Sequence, residues 1–78
     1  MQTQSISESV QVIFKDYPRI VTWGNRDYKI TKLGLHHKYL EGKTMYHIFS
    51  VVSDTLFFRL KLDTSNLLWT LEQTMENN

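Results

Sequence analysis

The chain has 78 residues, which is enough for one domain with a modest core but too few for a separate catalytic domain. It contains no cysteine, which excludes disulfides and thiolate metal sites, and its net charge of +1 is too small to indicate nucleic acid or anionic membranes as partners. No apolar run approaches the roughly 18 residues of a membrane-spanning helix, and residues 1–5 lack the basic and apolar regions of a signal peptide. We therefore expect a soluble, cytoplasmic protein.

The composition is typical of pleated strands. Alanine is absent, whereas β-branched and aromatic residues are plentiful, and these side chains lose rotamer freedom in a helix but pack well on a sheet. The sequence predicts a single all-β domain over residues 1–78, with an ordered part of about 6–75 and polar tails at both ends. The predicted architecture is an antiparallel meander of five to six strands, forming a strongly curved sheet or a small barrel, because an open sheet of this size would leave one face uncovered.

The first half of the chain predicts three strands. Residues 6–14 alternate apolar and polar side chains, and Pro18 ends this run because it cannot donate to a sheet ladder. Residues 19–23 and 26–37 follow, joined by the tight-turn pair Gly24 and Asn25, which sets Val21 opposite Tyr28. The third strand changes its alternation, so we expect a bulge near residues 31–32 and a bend at Gly34.

The second half predicts a central hairpin of residues 44–52 and 55–62, followed by a last strand around residues 69–71. Pairing of Tyr39 with Thr44 places His36 beside His47. A three-residue turn at residues 53–55 sets Ile48 opposite Leu60, whereas a two-residue turn with Ile48 against Arg59 mixes the two faces. With the longer turn, the apolar residues at alternating positions of these strands share one core face. They are Leu33, Leu35, Tyr46, Ile48, Phe58, Leu60, Leu62, Trp69 and Leu71.

A wider pattern runs through these core and turn positions. Val21-x-Trp23-Gly24-x-Arg26-x-Tyr28-x-Ile30, and later Asp63 with Trp69-x-Leu71, resemble a family of short uncharacterised bacterial all-β domains that combine a W-x-G-R-x-Y-x-V hairpin with a terminal D-x-x-[ST]-x-x-W-x-L strand. The resemblance covers residues 10–71. It implies a fold and carries over no functional residue, although some members of the family are encoded near DNA-damage-tolerance polymerases. Asn25 separates the glycine from the arginine here, unlike in the family pattern.

No pattern predicts catalysis. The three glycines are isolated, no G-x-S-x-G elbow is present, and the carboxylates fall mostly at turns or on the solvent face. His36 and His47 could begin a metal site, but two ligands do not complete one, and no third ligand is placed by the sequence. We therefore expect a protein that is not an enzyme and that holds no cofactor and no metal.

The face opposite the predicted core carries aromatic residues interleaved with cations. Such a surface can bind a protein partner or a second copy of the chain, and it is also how small β domains bind single-stranded nucleic acid. The sequence predicts an interaction or accessory module that binds a protein partner or itself, with single-stranded nucleic-acid binding linked to DNA repair as the alternative. The alternative without any binding role is that the ends of the barrel or the first strand cover these side chains. The candidate binding residues are His47, Phe49, Val51, Phe57, Arg59 and Lys61.

Overall fold

The computed structural model describes residues 3–54 and 56–76, and these residues form strands and turns without any helix. The all-β prediction is confirmed, but the described residues form seven strands rather than five or six, because the predicted third strand is divided at Ile30 and Thr31. No helix of the described residues is long and apolar enough to cross a membrane. The strands are β1 (Thr3–Lys15), β2 (Tyr17–Trp23), β3 (Arg26–Lys29), β4 (Lys32–Glu41), β5 (Thr44–Ser53), β6 (Leu56–Asp63) and β7 (Leu68–Glu76).

All strands belong to one antiparallel sheet in the order β3-β2-β1-β7-β6-β5-β4. The two edge strands, β3 and β4, are consecutive in the chain. At the link between them the Ile30 amide donates to the Arg19 carbonyl of β2, and the Thr31 amide donates to the Val52 carbonyl of β5, each at 2.8 Å. One stretch of chain thus contacts strands from both ends of the strand order, which curls the sheet into a half-barrel.

Two hairpins turn at glycines with positive φ. Gly24 has φ 65° and lies in the turn between the paired residues Trp23 and Arg26. The predicted turn and the pairing of Val21 with Tyr28 are therefore confirmed. Gly42 has φ 63° and begins the turn between Glu41 and Thr44. A glycine at the first central position is typical of a type II′ turn, whose twist matches that of the flanking strands.

The predicted register between β4 and β5 is wrong by two residues. Tyr39 pairs with Tyr46 rather than with Thr44, because the turn contains two residues where the longer loop was expected. His36 consequently lies opposite Phe49, not opposite His47. The expected bend at Gly34 is confirmed, since the ladder shifts register between Leu33 and Leu35.

The predicted register of the central hairpin is also wrong, and the error is one residue. Ser53 pairs with Leu56, where the three-residue turn would have set Val52 opposite Leu56, and Asp54 adopts φ 52°. Phe49 therefore faces Leu60, where Ile48 was expected to do so. Because side chains alternate between faces, a shift of one residue moves every side chain of β5 to the other face relative to β6.

The core fills the concave side of the half-barrel. Phe58 lies at its centre with a relative exposure of 1%, and the rings of Trp23 and Tyr28 pack edge-on against it, with centroids 6.1 and 5.1 Å away. Ile48 is also buried, but it lies outside this cluster, on the convex face between His37 and Lys61. The buried cluster comprises Val10, Val21, Ile30, Phe49, Val51, Phe58, Leu60 and Leu71.

Some expected core residues do not belong to the core. Leu35 is 58% exposed, and Tyr46 lies on the convex face, where its ring stacks on Tyr39. The first strand also starts earlier than predicted, since Thr3 pairs with Met75 of β7. Residues 1, 2, 77 and 78 of the predicted polar tails lie outside the described residues.

Candidate functional site

The six residues predicted to form one binding face are divided between two faces. Phe49 and Val51 are 2% and 1% exposed and belong to the core, so the expectation that they form an exposed apolar patch is wrong. The reason is the one-residue register of the β5–β6 hairpin, which pairs Phe49 with Leu60 and Val51 with Phe58. His47 lies on the same face of β5 as Phe49 and Val51 and is half-buried between Lys38 and Leu62.

The other three predicted residues lie together on the convex face of β6. Phe57 is half-buried between Val52 and Met75, its partners on the two neighbouring strands. Arg59 donates from Nε to the Glu72 carboxylate at 3.0 Å. Its charge is therefore partly compensated, and a partner would have to compete for it.

The side chain of Lys61 already interacts with two tyrosines. Its Nζ lies 4.2 Å from the centre of the Tyr46 ring, a cation–π arrangement. Hydrogen bonding to Tyr39 raises the pKa of Lys61, with a smaller contribution from Glu72. The convex face of β6 therefore presents cations that already have neighbours, which makes it a weaker candidate surface than the sequence indicated.

The more open surface is the edge strand β4. All residues from Gly34 to Glu41 are exposed, and β5 is the one neighbour of β4 in the described sheet. The strand is ten residues long, although sheet edges in natural proteins are commonly short or protected. It contains no proline, and its one irregularity is the bulge at Gly34, close to its start.

The turn between β4 and β5 determines which backbone groups of β4 are free. Glu41 and Thr44 flank a two-residue turn and form a pair whose backbones are hydrogen-bonded to each other. From this pair along the ladder, hydrogen-bonded pairs alternate with pairs whose amides and carbonyls point away from the partner strand. The Met45 carbonyl accepts hydrogen bonds from the amide and the hydroxyl of Thr64, so it points away from β4, as this alternation requires. The outward-directed amides and carbonyls of β4 are therefore those of His36, Lys38 and Leu40.

The side chains along this edge are apolar in part. Leu35 is 58% exposed, Leu40 is 64% exposed and Tyr39 is 37% exposed. Leu35 and Tyr39 share the convex face, whereas Leu40 points to the concave side. Lys38 makes no ion pair with the described residues. An edge with free backbone groups and exposed apolar side chains has the features of a strand that pairs with another chain.

A stack of rings lies beside this edge on the concave side. The His36 ring is nearly parallel to that of Phe49, with centroids 4.2 Å apart and an angle of 5°. His47 stacks on His36 at 5.1 Å. Phe14, which is 48% exposed, and Trp69 complete the cluster through contacts of 5.7 and 5.6 Å with Phe49. We call these five residues the ring stack.

The two histidines of the ring stack form a hydrogen bond. His36 Nε2 and His47 Nδ1 are 2.8 Å apart, so one ring donates and the other accepts. Two nitrogens bound to one tetrahedral zinc would be about 3.3 Å apart, given Zn–N bonds of about 2.0 Å. No group of three potential metal ligands occurs among the described residues. Desolvation, followed by the neighbouring His47, His37 and Lys38, lowers the pKa of His36 from its ordinary value of 6.5.

An open groove of about 440 Å³ lies elsewhere, between β3 and the turn after β5. Its lining includes Arg26 and Lys29 together with Asp27 and Asp54. Asp27 accepts a hydrogen bond of 2.8 Å from the Thr22 hydroxyl, so it is engaged in the β2–β3 hairpin. Opposite charges in equal number give this groove no electrostatic preference for a ligand, and it carries no argument for function.

The sequence did not indicate the edge of β4. Leu35 was assigned to the core, and no local pattern distinguishes an edge strand from a central one. One signal was present. Five of the ten residues of β4 carry basic or acidic side chains, a larger share than in β5, β6 or β7, and charged residues are typical of sheet edges; they are Lys32, His36, His37, Lys38 and Glu41.

The comparisons with known proteins give no relative to set beside this geometry. No family model, no curated protein and no solved structure matches the chain. The resemblance to short bacterial all-β domains therefore stays a prediction.

Proposed function

We propose that the protein is a non-enzymatic interaction module that accepts an extended polypeptide segment as an additional strand along β4. The observation that carries this proposal is the free edge itself, where three outward-directed residues, His36, Lys38 and Leu40, have no strand beside them among the described residues. Strand addition satisfies such backbone groups and is a common mode of peptide recognition. The protein partner expected from the sequence would thus bind at β4 and not at the second face of the central hairpin.

The exposed apolar side chains support the same location. Leu35 and Tyr39 lie on the convex face of β4 on either side of His37, so the side chains on one face of an added strand would contact both. Tyr39 is held by its stack on Tyr46, with centroids 5.3 Å apart, so one anchor of the surface is preorganised. Preorganisation reduces the entropy lost on binding.

A synthetic peptide with the sequence of residues 32–41 tests strand addition, with amide chemical shifts and hydrogen exchange of the labelled protein as the readout. We expect added peptide to protect the amides of His36, Lys38 and Leu40. The amides of His37 and Tyr39 already donate to β5 and should change little. Outward amides that stay unprotected in excess peptide, and over the accessible range of protein concentration, contradict the proposal.

Two variants at one position sharpen this experiment. Lys38→Pro removes an amide that points away from β5, so it blocks the edge without breaking the β4–β5 ladder. Lys38→Thr removes the same charge but keeps the amide. Loss of peptide binding in Lys38→Pro with retention in Lys38→Thr supports strand addition, whereas equal loss in both variants would assign the binding to the lysine side chain.

The ring stack favours a second candidate, single-stranded nucleic-acid binding. The exposed His36 ring lies parallel to Phe49, and Lys38 follows on the same side of β4, so a base could stack while a phosphate meets the cation. Exposed rings combined with a cation that makes no ion pair within residues 3–54 and 56–76 are the specific observation behind this candidate.

Quenching of Trp69 fluorescence by a short oligonucleotide tests the second candidate. Binding should weaken steeply with salt, and both His36→Ala and Lys38→Ala should weaken it further. Lys61→Ala is the matched control, since Lys61 lies on the convex face and should have no effect. An affinity too weak to measure at low salt, or an equal loss in Lys61→Ala, would rule out nucleic-acid binding at the ring stack.

A further inference from the structure

We infer that a second copy of this chain is the strand that β4 accepts, in an antiparallel pairing whose two-fold axis passes through His37. This inference rests on the proposed function and specifies its partner. Antiparallel pairing of two identical strands makes the same patch face itself, as closed dimers require. The result would be one continuous sheet running through both copies.

Backbone geometry limits the possible registers. The outward-directed residues of one copy, His36, Lys38 and Leu40, must form backbone hydrogen bonds with the same residues of the other copy. Because these residues are two positions apart, the midpoint of any such pair is a residue, so the two-fold axis must pass through a residue and not between two residues. An axis at Lys38 would set two lysines face to face, which is unfavourable. An axis at Tyr39 would leave Leu35 uncovered. An axis at His37 pairs His36 with Lys38 of the second copy through backbone bonds on both sides of the axis.

Side chains favour the His37 register on the convex face. There, Leu35 of each copy lies opposite Tyr39 of the other, so the two exposed apolar side chains of this face cover each other. The Tyr39–Tyr46 stack then continues into Leu35 of the second copy as one apolar row across the interface. His37 meets its own counterpart on the axis.

The bulge extends this match to the ends of the strand. Gly34 has no partner in the β5 ladder, where Leu33 pairs with Val51 and Leu35 with Ser50. If Gly34 is also unpaired in the ladder between the two copies, Leu33 lies opposite Leu40 of the second copy and Lys32 lies opposite its Glu41. The two leucines share the concave side, and the two opposite charges share the convex face. Apolar residues thus face apolar residues, and opposite charges face each other, on both sides of the axis, while His36, His37 and Lys38 meet around the axis itself.

Single cysteines test the register directly, because the chain has no cysteine of its own. A pair of residues on the axis that is not bonded through its backbone has Cα atoms about 4.5 Å apart, within the range of about 4.4–6.8 Å that a disulfide accepts. His37→Cys should therefore form a disulfide-linked dimer under mild oxidation. In the same register the two copies of position 39 lie about 14 Å apart, beyond the distance that a disulfide can span, so the same mild oxidation should leave Tyr39→Cys unlinked.

Two further measurements separate the register from the proposed function. The double variant His37→Cys with Lys38→Pro should lose the linkage, and the cysteine-free chain should show a concentration-dependent mass in sedimentation that Lys38→Pro abolishes. Faster linkage of Tyr39→Cys or Lys38→Cys than of His37→Cys overturns the register but retains edge pairing. A monomeric mass at all concentrations overturns the dimer, and protection of the outward amides by the free peptide would then still support strand addition at β4.

Discussion

Replacing Phe49 with alanine should destabilise the fold, although the sequence had indicated an exposed binding residue at this position. The ring is 2% exposed and contacts Phe14, Trp69 and His36, with centroids 5.7, 5.6 and 4.2 Å away. Truncating a buried phenylalanine costs about 3–5 kcal/mol. A domain of this length has a total unfolding free energy of about 4–12 kcal/mol, so Phe49→Ala should remove a large part of it.

Phe57→Ala is the matched control. The two phenylalanines lie on neighbouring strands of one hairpin, but Phe57 is half-buried on the convex face, so its truncation should cost about 1 kcal/mol. Urea unfolding followed by the fluorescence of Trp23 and Trp69 measures both variants. Equal losses of unfolding free energy in the two variants would refute the one-residue register of the central hairpin and with it the assignment of faces.

Three further predictions concern pH and backbone. Because the pKa of His36 is lowered in the folded state, the unfolded chain binds the proton more readily, and the unfolding free energy should fall as the pH drops below 6.5. Urea titrations at several pH values should show a smaller fall for His36→Gln than for the wild type. Hydrogen bonds from the Ser65 hydroxyl and amide lower the pKa of Asp63; Asp63→Asn should therefore be less stable than the wild type near neutral pH, and the difference should shrink as the pH falls through and below 3.8. Gly42→Ala forces a side chain into φ 63°, and thermal unfolding should show a loss of about 1 kcal/mol, whereas an unchanged midpoint would argue against the type II′ turn.

The parts of the fold that the sequence predicted correctly depend on local chemistry. Gly24 and Asn25 form a tight turn because glycine adopts positive φ at no steric cost, and the register of Val21 with Tyr28 follows from that turn. The bend at Gly34 has a comparable local cause, since a Cβ there would lie 3.2 Å from the Ser50 carbonyl oxygen. In each case glycine permits a backbone conformation or a close approach that other residues disfavour.

The face of β5 could not be predicted in the same way. Ile48 and Phe49 are 1% and 2% exposed although they point to opposite sides of the sheet. A strand that is buried on both faces has no apolar alternation to fix its register, so the turn decides, and Asp54 at φ 52° allows a shorter turn than the sequence suggested. The candidate surface was missed for a different reason: the position of β4 at the sheet edge depends on the order of all seven described strands.

The pairing of β1 with β7 has a consequence for how the chain reaches its fold. Thr3 and Met75 are neighbours in the sheet, so the pairing that joins the β1–β3 part of the sheet to the β4–β7 part brings together residues from nearly opposite ends of the sequence. Forming such distant contacts requires the closure of a long loop, which slows folding relative to helical proteins of the same size. During synthesis, residues 11–15 of β1 would have their partners in β2 well before Trp69, the partner of Val10 in β7, has been made. Refolding should accordingly be slow, and a chain truncated before β7 should not acquire the native sheet.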